Sequence, residues 1–106
     1  MKAKMIFAII LLVLLAAGPA QAGGDAASGG ALASMDCIDC HGEYGEGIDD
    51  APALAGMGEA YLVEQLQAYK SGERTDEGGI MGMTVEELSE QDMANVAAYY
   101  ASLEKQ

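Results

Sequence analysis

The sequence predicts an all-α fold of three to five helices. Two stretches repeat apolar residues with the helical period and stand between recognisable cap residues. Between the helical stretches the chain is rich in glycine, which favours loops over regular structure. No run after residue 22 has the alternation or the β-branched content of a strand. We therefore expect helices joined by long loops, with no sheet.

The first helix is expected to begin after Asp25, a good cap residue, and to run to about Asp36. Glycines at positions 29 and 30 weaken this prediction, because glycine is a poor helix former. The stretch 42–58 is predicted to be a loop, since it holds five glycines and a proline and shows no helical or strand period.

The second helix is expected from about Glu59 to Ser71, where Gly72 stands at the position of a C-terminal cap. Its apolar stripe recurs at helical spacing in Leu62, Leu66 and Tyr69. The stretch 73–87 is expected to be irregular.

The last helix has the clearest start signal in the sequence. Ser89 is a good N-cap, and Asp92 three residues later completes a pattern like a capping box. One helical face then carries the apolar residues Met93, Val96, Ala97, Tyr100 and Leu103.

Residues 1–22 have the pattern of a secretion signal that is removed from the mature protein. A basic start with Lys2 and Lys4 precedes an apolar run over 5–17, and Ala20-Gln21-Ala22 is a typical cleavage site. The apolar run is short for a helix that spans a membrane, which is the alternative reading. We expect cleavage after Ala22, a single domain over 23–106, and a periplasmic location without stable membrane insertion.

The mature chain is strongly acidic. It keeps three basic residues against 17 acidic ones, a formal net charge of −14. Such a surface argues against binding nucleic acid or anionic lipid, because both are polyanions. It favours a partner with a basic docking patch, although solubility alone also explains the charge.

The most informative motif is Cys37-x-x-Cys40-His41. These are the two cysteines and the one histidine of the chain, and all lie within five residues. The pattern is typical of covalent attachment of one haem c, with the thiols on two vinyl groups and the histidine as an iron ligand. A thiol redox site or a plain disulfide is the alternative. Zinc would need nitrogen or sulfur ligands that the chain lacks.

The sixth iron ligand is expected to be a methionine, since there is no second histidine and a thioether raises the reduction potential. Met81 and Met83 lie in the predicted loop before the last helix, from which a sulfur could reach the far haem face. The other methionines after residue 22 are assigned to the core or to the first loop: Met35, Met57 and Met93. The residues alone leave Met81 and Met83 both open.

With these features in this order, the chain resembles a class I c-type cytochrome, closest to the small soluble monohaem cytochromes of bacteria. The similar stretches are Cys37 to Gly42, Pro52 to Gly56, Tyr61-Leu62 with Gln65-Leu66, Tyr69 to Gly72, and Leu88-Ser89 through Tyr100.

The resemblance implies a small class I cytochrome fold around one covalent haem, and it implies roles for single residues. Cys37 and Cys40 would form the thioethers, and His41 would be the proximal ligand. Pro52 would offer its carbonyl to the His41 ring. Met81 stands seven residues before Leu88, where similar cytochromes carry the sixth ligand, and Met83 remains the fallback.

The expected function is electron transfer between redox partners, not enzymatic turnover. One further likeness offers an alternative. Short stretches at 63–64, 70–73 and 80–82 are similar to the haem subunit of flavocytochrome c sulfide dehydrogenases. In that case a flavoprotein subunit would be the permanent partner. A haem protein that binds ligands at a vacant sixth position is a third hypothesis, which two methionines in the right stretch disfavour.

Overall fold

The computed structural model describes residues 23–105. The predicted signal lies outside these residues. Within them no strand is formed, and the one β-type contact is an isolated bridge between Ile48 and Ala51. The all-α prediction is confirmed, with five α-helices: α1 (Ala26–Asp36), α2 (Ile38–His41), α3 (Glu59–Ser71), α4 (Ile80–Glu86) and α5 (Glu90–Ser102). Over the same range, no helix has the length and apolar character needed to cross a membrane.

Helices α1 and α5 cross in close contact, and a glycine makes the crossing possible. A Cβ atom on Gly29 would lie 1.8 Å from the carbonyl oxygen of Asn95, far inside van der Waals contact. The glycine that weakened the helix prediction is therefore the point where two backbones meet. Ala33, one turn further along α1, is completely buried at the same interface.

The predicted ends of α3 and α5 are observed. Gly72 closes α3 in the left-handed region with a φ of 87°, which glycine adopts without strain. At the start of α5, the Ser89 hydroxyl accepts from the Asp92 N–H, and the Asp92 carboxylate accepts from the Ser89 N–H, both at 3.0 Å. This reciprocal pair is a capping box that satisfies two backbone donors.

The expectation of irregular chain over 73–87 is wrong in its second half. A 3-10 turn at Glu77–Gly79 leads directly into α4. The Asp76 carboxylate accepts the Met81 N–H at 3.1 Å and so anchors the first turn of α4. Glycines at 78, 79 and 82 lower the helix propensity of this stretch, so the sequence does not predict a helix here. The burial of Val85 stabilises α4 instead.

The core consists of two clusters that share one helix. The first cluster holds Ala33, Leu62, Val96, Ala97 and Tyr100. The second cluster holds Val85, Leu88 and Met93. Leu32 and Leu66 pack against both. Helix α5 contributes to both clusters and packs against α1 and α3, while α4 packs against α3. The predicted apolar face of α5 is the buried one.

Candidate haem site

The cysteine motif forms one helical turn directly after α1. The His41 N–H donates to the Cys37 carbonyl at 3.0 Å, and this bond closes the turn that α2 continues. Cys37 is partly buried, Cys40 is exposed, and both are free thiols. The turn therefore presents two unpaired thiols and an imidazole within a single turn of chain.

His41 is buried and its ring is held in one orientation. Its exposed fraction is 5%, which makes it the only buried residue classed as polar or charged among residues 23–105. Nδ1 lies 2.8 Å from the Pro52 carbonyl oxygen. A carbonyl only accepts, so Nδ1 must carry the proton, and the neutral ring then has its lone pair on Nε2. The nitrogen that would bind iron is thus the one left unprotonated.

The loop 42–58 brings Pro52 to the ring through its own backbone bonds. The Gly47 N–H donates to the His41 carbonyl at 2.7 Å. The Gly45 carbonyl accepts from two amides further along, those of Leu54 at 2.8 Å and Ala55 at 3.0 Å. A Cβ on Gly45 would lie 2.8 Å from the Tyr100 ring, and its φ is +69°. The loop is therefore folded back tightly against α5, and glycine is required at this position.

The surroundings of Cys37 do not activate it as a thiolate. Burial raises the pKa of the Cys37 thiol to about 11. A redox-active Cys-x-x-Cys site lowers the pKa of one thiol instead, because the thiolate is the nucleophile. A raised pKa at Cys37 is the opposite of this, so the structure disfavours the thiol redox alternative.

Tyr100 is a feature of this site that the sequence reasoning did not recognise. Its side chain is 1% exposed, and within residues 23–105 its hydroxyl has no partner with good hydrogen-bond geometry, although it lies close enough to the Cys37 thiol to interact with it. Burial, followed by the neighbouring Cys37, raises its pKa above the ordinary tyrosine value. The helical spacing placed Tyr100 correctly in the core, but spacing gives no sign of which polar group a core tyrosine faces.

The methionines occupy distinct environments. Met81 is half-buried on α4 and packs against the cluster of Val85, Leu88 and Met93. Met83 is 64% exposed. Positions two apart on a helix point in different directions, so Met81 and Met83 do not share a face. Three other methionines lie within residues 23–105. Met35 is exposed, Met93 is fully buried, and Met57 packs on the first cluster.

Comparison with known proteins places the chain in a family. The family model described as "Cytochrome c" matches residues 26–104. The chain therefore belongs to the cytochrome c family, whose members carry covalent haem c, and Cys37, Cys40 and His41 match its Cys-x-x-Cys-His pattern.

Two relatives illustrate how much of a known protein the chain represents. It is 45% identical over 96 residues to cytochrome c4 of Pseudomonas aeruginosa. The aligned region covers 88% of this chain and 45% of that protein. It is 39% identical over 85 residues to cytochrome c-554(548) of Halomonas halodenitrificans, covering 76% of this chain and 99% of that protein. The chain spans about half the length of the cytochrome c4 relatives it matches.

Solved structures show the same likeness. Cytochrome c4 of Acidithiobacillus ferrooxidans superposes with a TM-score of 0.70 at 30% identity, over 82% of this chain and 53% of that one. Thiosulfate dehydrogenase of Marichromatium purpuratum superposes with a TM-score of 0.72 at 34% identity, over 88% of this chain and 22% of that one. The expected class I cytochrome fold is confirmed.

The side chains fit a covalent haem. Both thiols are free, the His41 ring is buried with Nε2 available, and Nδ1 is already bonded.

Proposed function

We propose that this protein is a periplasmic electron carrier with one covalent haem c, and not an enzyme. The observation that carries the proposal is the buried His41, whose Nδ1 bond to the Pro52 carbonyl leaves Nε2 free beside two unpaired cysteines. When bound, the haem iron supplies one-electron chemistry by cycling between its ferric and ferrous states. Cys37 and Cys40 hold the group covalently, and the Pro52 carbonyl fixes the imidazole and increases its basicity.

Met81 is proposed as the sixth ligand. It is half-buried, it lies on a helix anchored at Asp76, and its neighbours Val85 and Leu88 belong to the core. Such support holds a thioether in one place, which a ligand that remains bound in both oxidation states requires. Met83 lacks this support because most of its side chain faces solvent.

The charge of the chain supports transient docking on a basic patch of a redox partner. Two of the few cationic side chains of the domain are held by neutral groups of the fold. Lys70 donates to the Leu88 carbonyl, and Arg74 lies 4.8 Å above the Tyr69 ring while donating to the Gln65 amide. With three basic residues against 17 acidic ones after residue 22, the surface field remains negative. Association with a basic partner would then be fast at low salt and would slow as salt screens the charges. Periplasmic location rests on the signal pattern of residues 1–22.

A second candidate function is supported by the likeness to a part of thiosulfate dehydrogenase. In this alternative the chain is the haem subunit of an enzyme that oxidises a sulfur compound, as in the flavocytochrome c sulfide dehydrogenases. The electron chemistry is the same, but the donor is a permanent partner. Purification from the native source separates the alternatives, since a subunit copurifies with a flavoprotein or a second haem protein at fixed stoichiometry.

The test of the carrier proposal is absorption spectroscopy of protein matured with a c-haem assembly system. We expect a covalent low-spin spectrum with the weak far-red band of sulfur ligation, unchanged by carbon monoxide. Met81→Ala should lose that band and bind carbon monoxide, whereas the matched variant Met83→Ala should behave like the wild type.

Two results would contradict the proposal. A high-spin wild-type haem that takes up carbon monoxide would indicate ligand binding or catalysis. Loss of the far-red band in Met83→Ala, but not in Met81→Ala, would transfer the ligand role to Met83.

A further inference from the structure

The chain is tied down immediately after the expected cleavage point. The Gly24 N–H donates to Oε2 of Glu59 at 3.2 Å, and the Asp25 N–H donates to Oδ1 of Asn95 at 2.8 Å. Glu59 is the first residue of α3, and Asn95 lies in α5. The segment before α1 is therefore fixed to two other helices, whereas a spacer between a signal and a domain has no need of such bonds.

The path of this segment leaves no room for side chains. A Cβ on Gly24 would lie 2.0 Å from the Ala94 carbonyl oxygen, so the backbone runs directly over α5. A Cβ on Gly23 would lie 2.7 Å from Oε2 of Glu59. The backbone nitrogen of Gly23 is bonded to the same Cα, so standard bond lengths place it within about 5 Å of that carboxylate.

We propose that cleavage after Ala22 gives Gly23 an α-ammonium group that forms an ion pair with Glu59. The inference rests on the secretion signal of the proposed function. In the hydrolysis, water is consumed, the Ala22–Gly23 peptide bond breaks, Ala22 leaves with a carboxylate, and the new Gly23 amine is protonated. A neutral amide nitrogen is thereby replaced by a cation beside an existing carboxylate, so processing itself fastens α1 to α3.

The charges around the new terminus favour the cation. Glu59 faces it from α3, and Asp25 follows it in the chain. The Asp25 carboxylate accepts the Ser28 hydroxyl at 2.6 Å, which lowers its pKa and keeps it anionic. From α5 the neighbouring groups are neutral, namely the Ala94 carbonyl and the Asn95 amide. The Glu59 carboxylate beside the terminus raises the pKa of the α-amino group.

The ion pair makes the stability of the processed protein depend on pH. A free α-amino group has a pKa of about 7.7–8.0, and a nearby anion raises the folded value above this range. While Glu59 is ionised, the stabilisation is fully present below about pH 7.7 and is lost as pH rises through the folded pKa of the α-amino group.

The experiment uses haem-loaded protein isolated from the periplasm. Its mass gives the terminus, and ¹³C reductive methylation followed by NMR titration gives the α-amino pKa. Processing leaves two lysines, Lys70 and Lys105, so only three labelled amines need to be assigned. We compare the wild type with Glu59→Gln, and use Glu64→Gln as control because it removes the same charge from an exposed position of the same helix.

We expect a chain that starts at Gly23 and an α-amino pKa about 0.5 or more above the usual range, returned to that range in Glu59→Gln but not in Glu64→Gln. Gly24→Ala should lower the pKa in the same way, because its Cβ displaces the segment from α5. Equal pKa values in the wild type and Glu59→Gln would overturn the ion pair. A start other than Gly23 would also overturn it, while an intact low-spin spectrum would leave the electron-carrier proposal standing.

Discussion

Replacing Gly29 by alanine tests the close crossing of α1 and α5. The added Cβ would lie 1.8 Å from the Asn95 carbonyl oxygen and 2.3 Å from its carbon. Close C···O contacts in proteins are about 3.3 Å, so the two helices must separate by about 1.5 Å at this point. The obstacle is backbone rather than a flexible side chain, and no rotamer change relieves it.

The expected cost follows from two opposing terms. Overpacking of this kind costs about 1–3 kcal/mol, and a backbone clash belongs at the upper end. Alanine recovers about 0.5–1 kcal/mol relative to glycine inside a helix. The net loss should be about 2 kcal/mol, which lowers the melting temperature by roughly 8–16 °C for a domain of this size.

The assay is denaturant and thermal unfolding of the haem-loaded protein, followed by circular dichroism. Gly30→Ala is the matched control, since the three atoms nearest to its Cβ all belong to the Tyr99 ring, the closest at 3.0 Å, and a side chain can move. The control should stay within about 1 kcal/mol of the wild type, because the propensity gain offsets the contact. If Gly29→Ala were as stable as Gly30→Ala, the close approach of the two backbones would be refuted.

Two further predictions concern α5. Tyr100→Phe removes a buried hydroxyl whose described polar neighbour is the Cys37 sulfur, a weak acceptor, and which has no partner with good hydrogen-bond geometry. Stability at pH 7 should therefore be unchanged or higher by up to about 1 kcal/mol, whereas deleting a well-bonded hydroxyl would lower it by about 1 kcal/mol. Burial raises the pKa of Tyr100, so folding favours the neutral phenol. The wild type therefore keeps its full stability below about pH 10 and loses stability above it, as the phenol of the unfolded chain ionises. Above about pH 10 the denaturant midpoint of Tyr100→Phe should increasingly exceed that of the wild type. Ser89→Ala breaks the capping box and should lower the unfolding free energy by about 1 kcal/mol. The control Ser102→Ala, at the exposed end of the same helix, should lower it by less than half as much. Equal losses in the two variants would contradict the capping role.

Local signals predicted the elements whose ends are marked by single residues. Gly72 ends α3 and Ser89 begins α5 where the sequence indicated, because capping depends on residues within one turn. Helix α4 was missed for the opposite reason. Its glycines lower its propensity, and it is held by Asp76 and by the burial of Val85, which are not visible in local sequence.

The residues of the candidate site were likewise predictable from the sequence only where the signal is local. Cys37, Cys40 and His41 are recognisable because the chemistry demands adjacent residues. The approach of the Pro52 carbonyl to His41 came from the family resemblance alone, since eleven positions of glycine-rich loop give no spacing rule. The surroundings of Tyr100 could not be predicted from the sequence either, because they depend on where the loop 42–58 folds back.

The way that loop is bonded has a consequence for how the molecule opens. It contains no helix, yet its Gly56 N–H donates to the Tyr100 carbonyl at 2.9 Å, and its Gly47 N–H donates to His41. The loop therefore cannot detach without breaking bonds to the last helix and to the attachment turn. We therefore expect the loop to open together with the core rather than alone, so that the ring of His41 is released only in this larger opening.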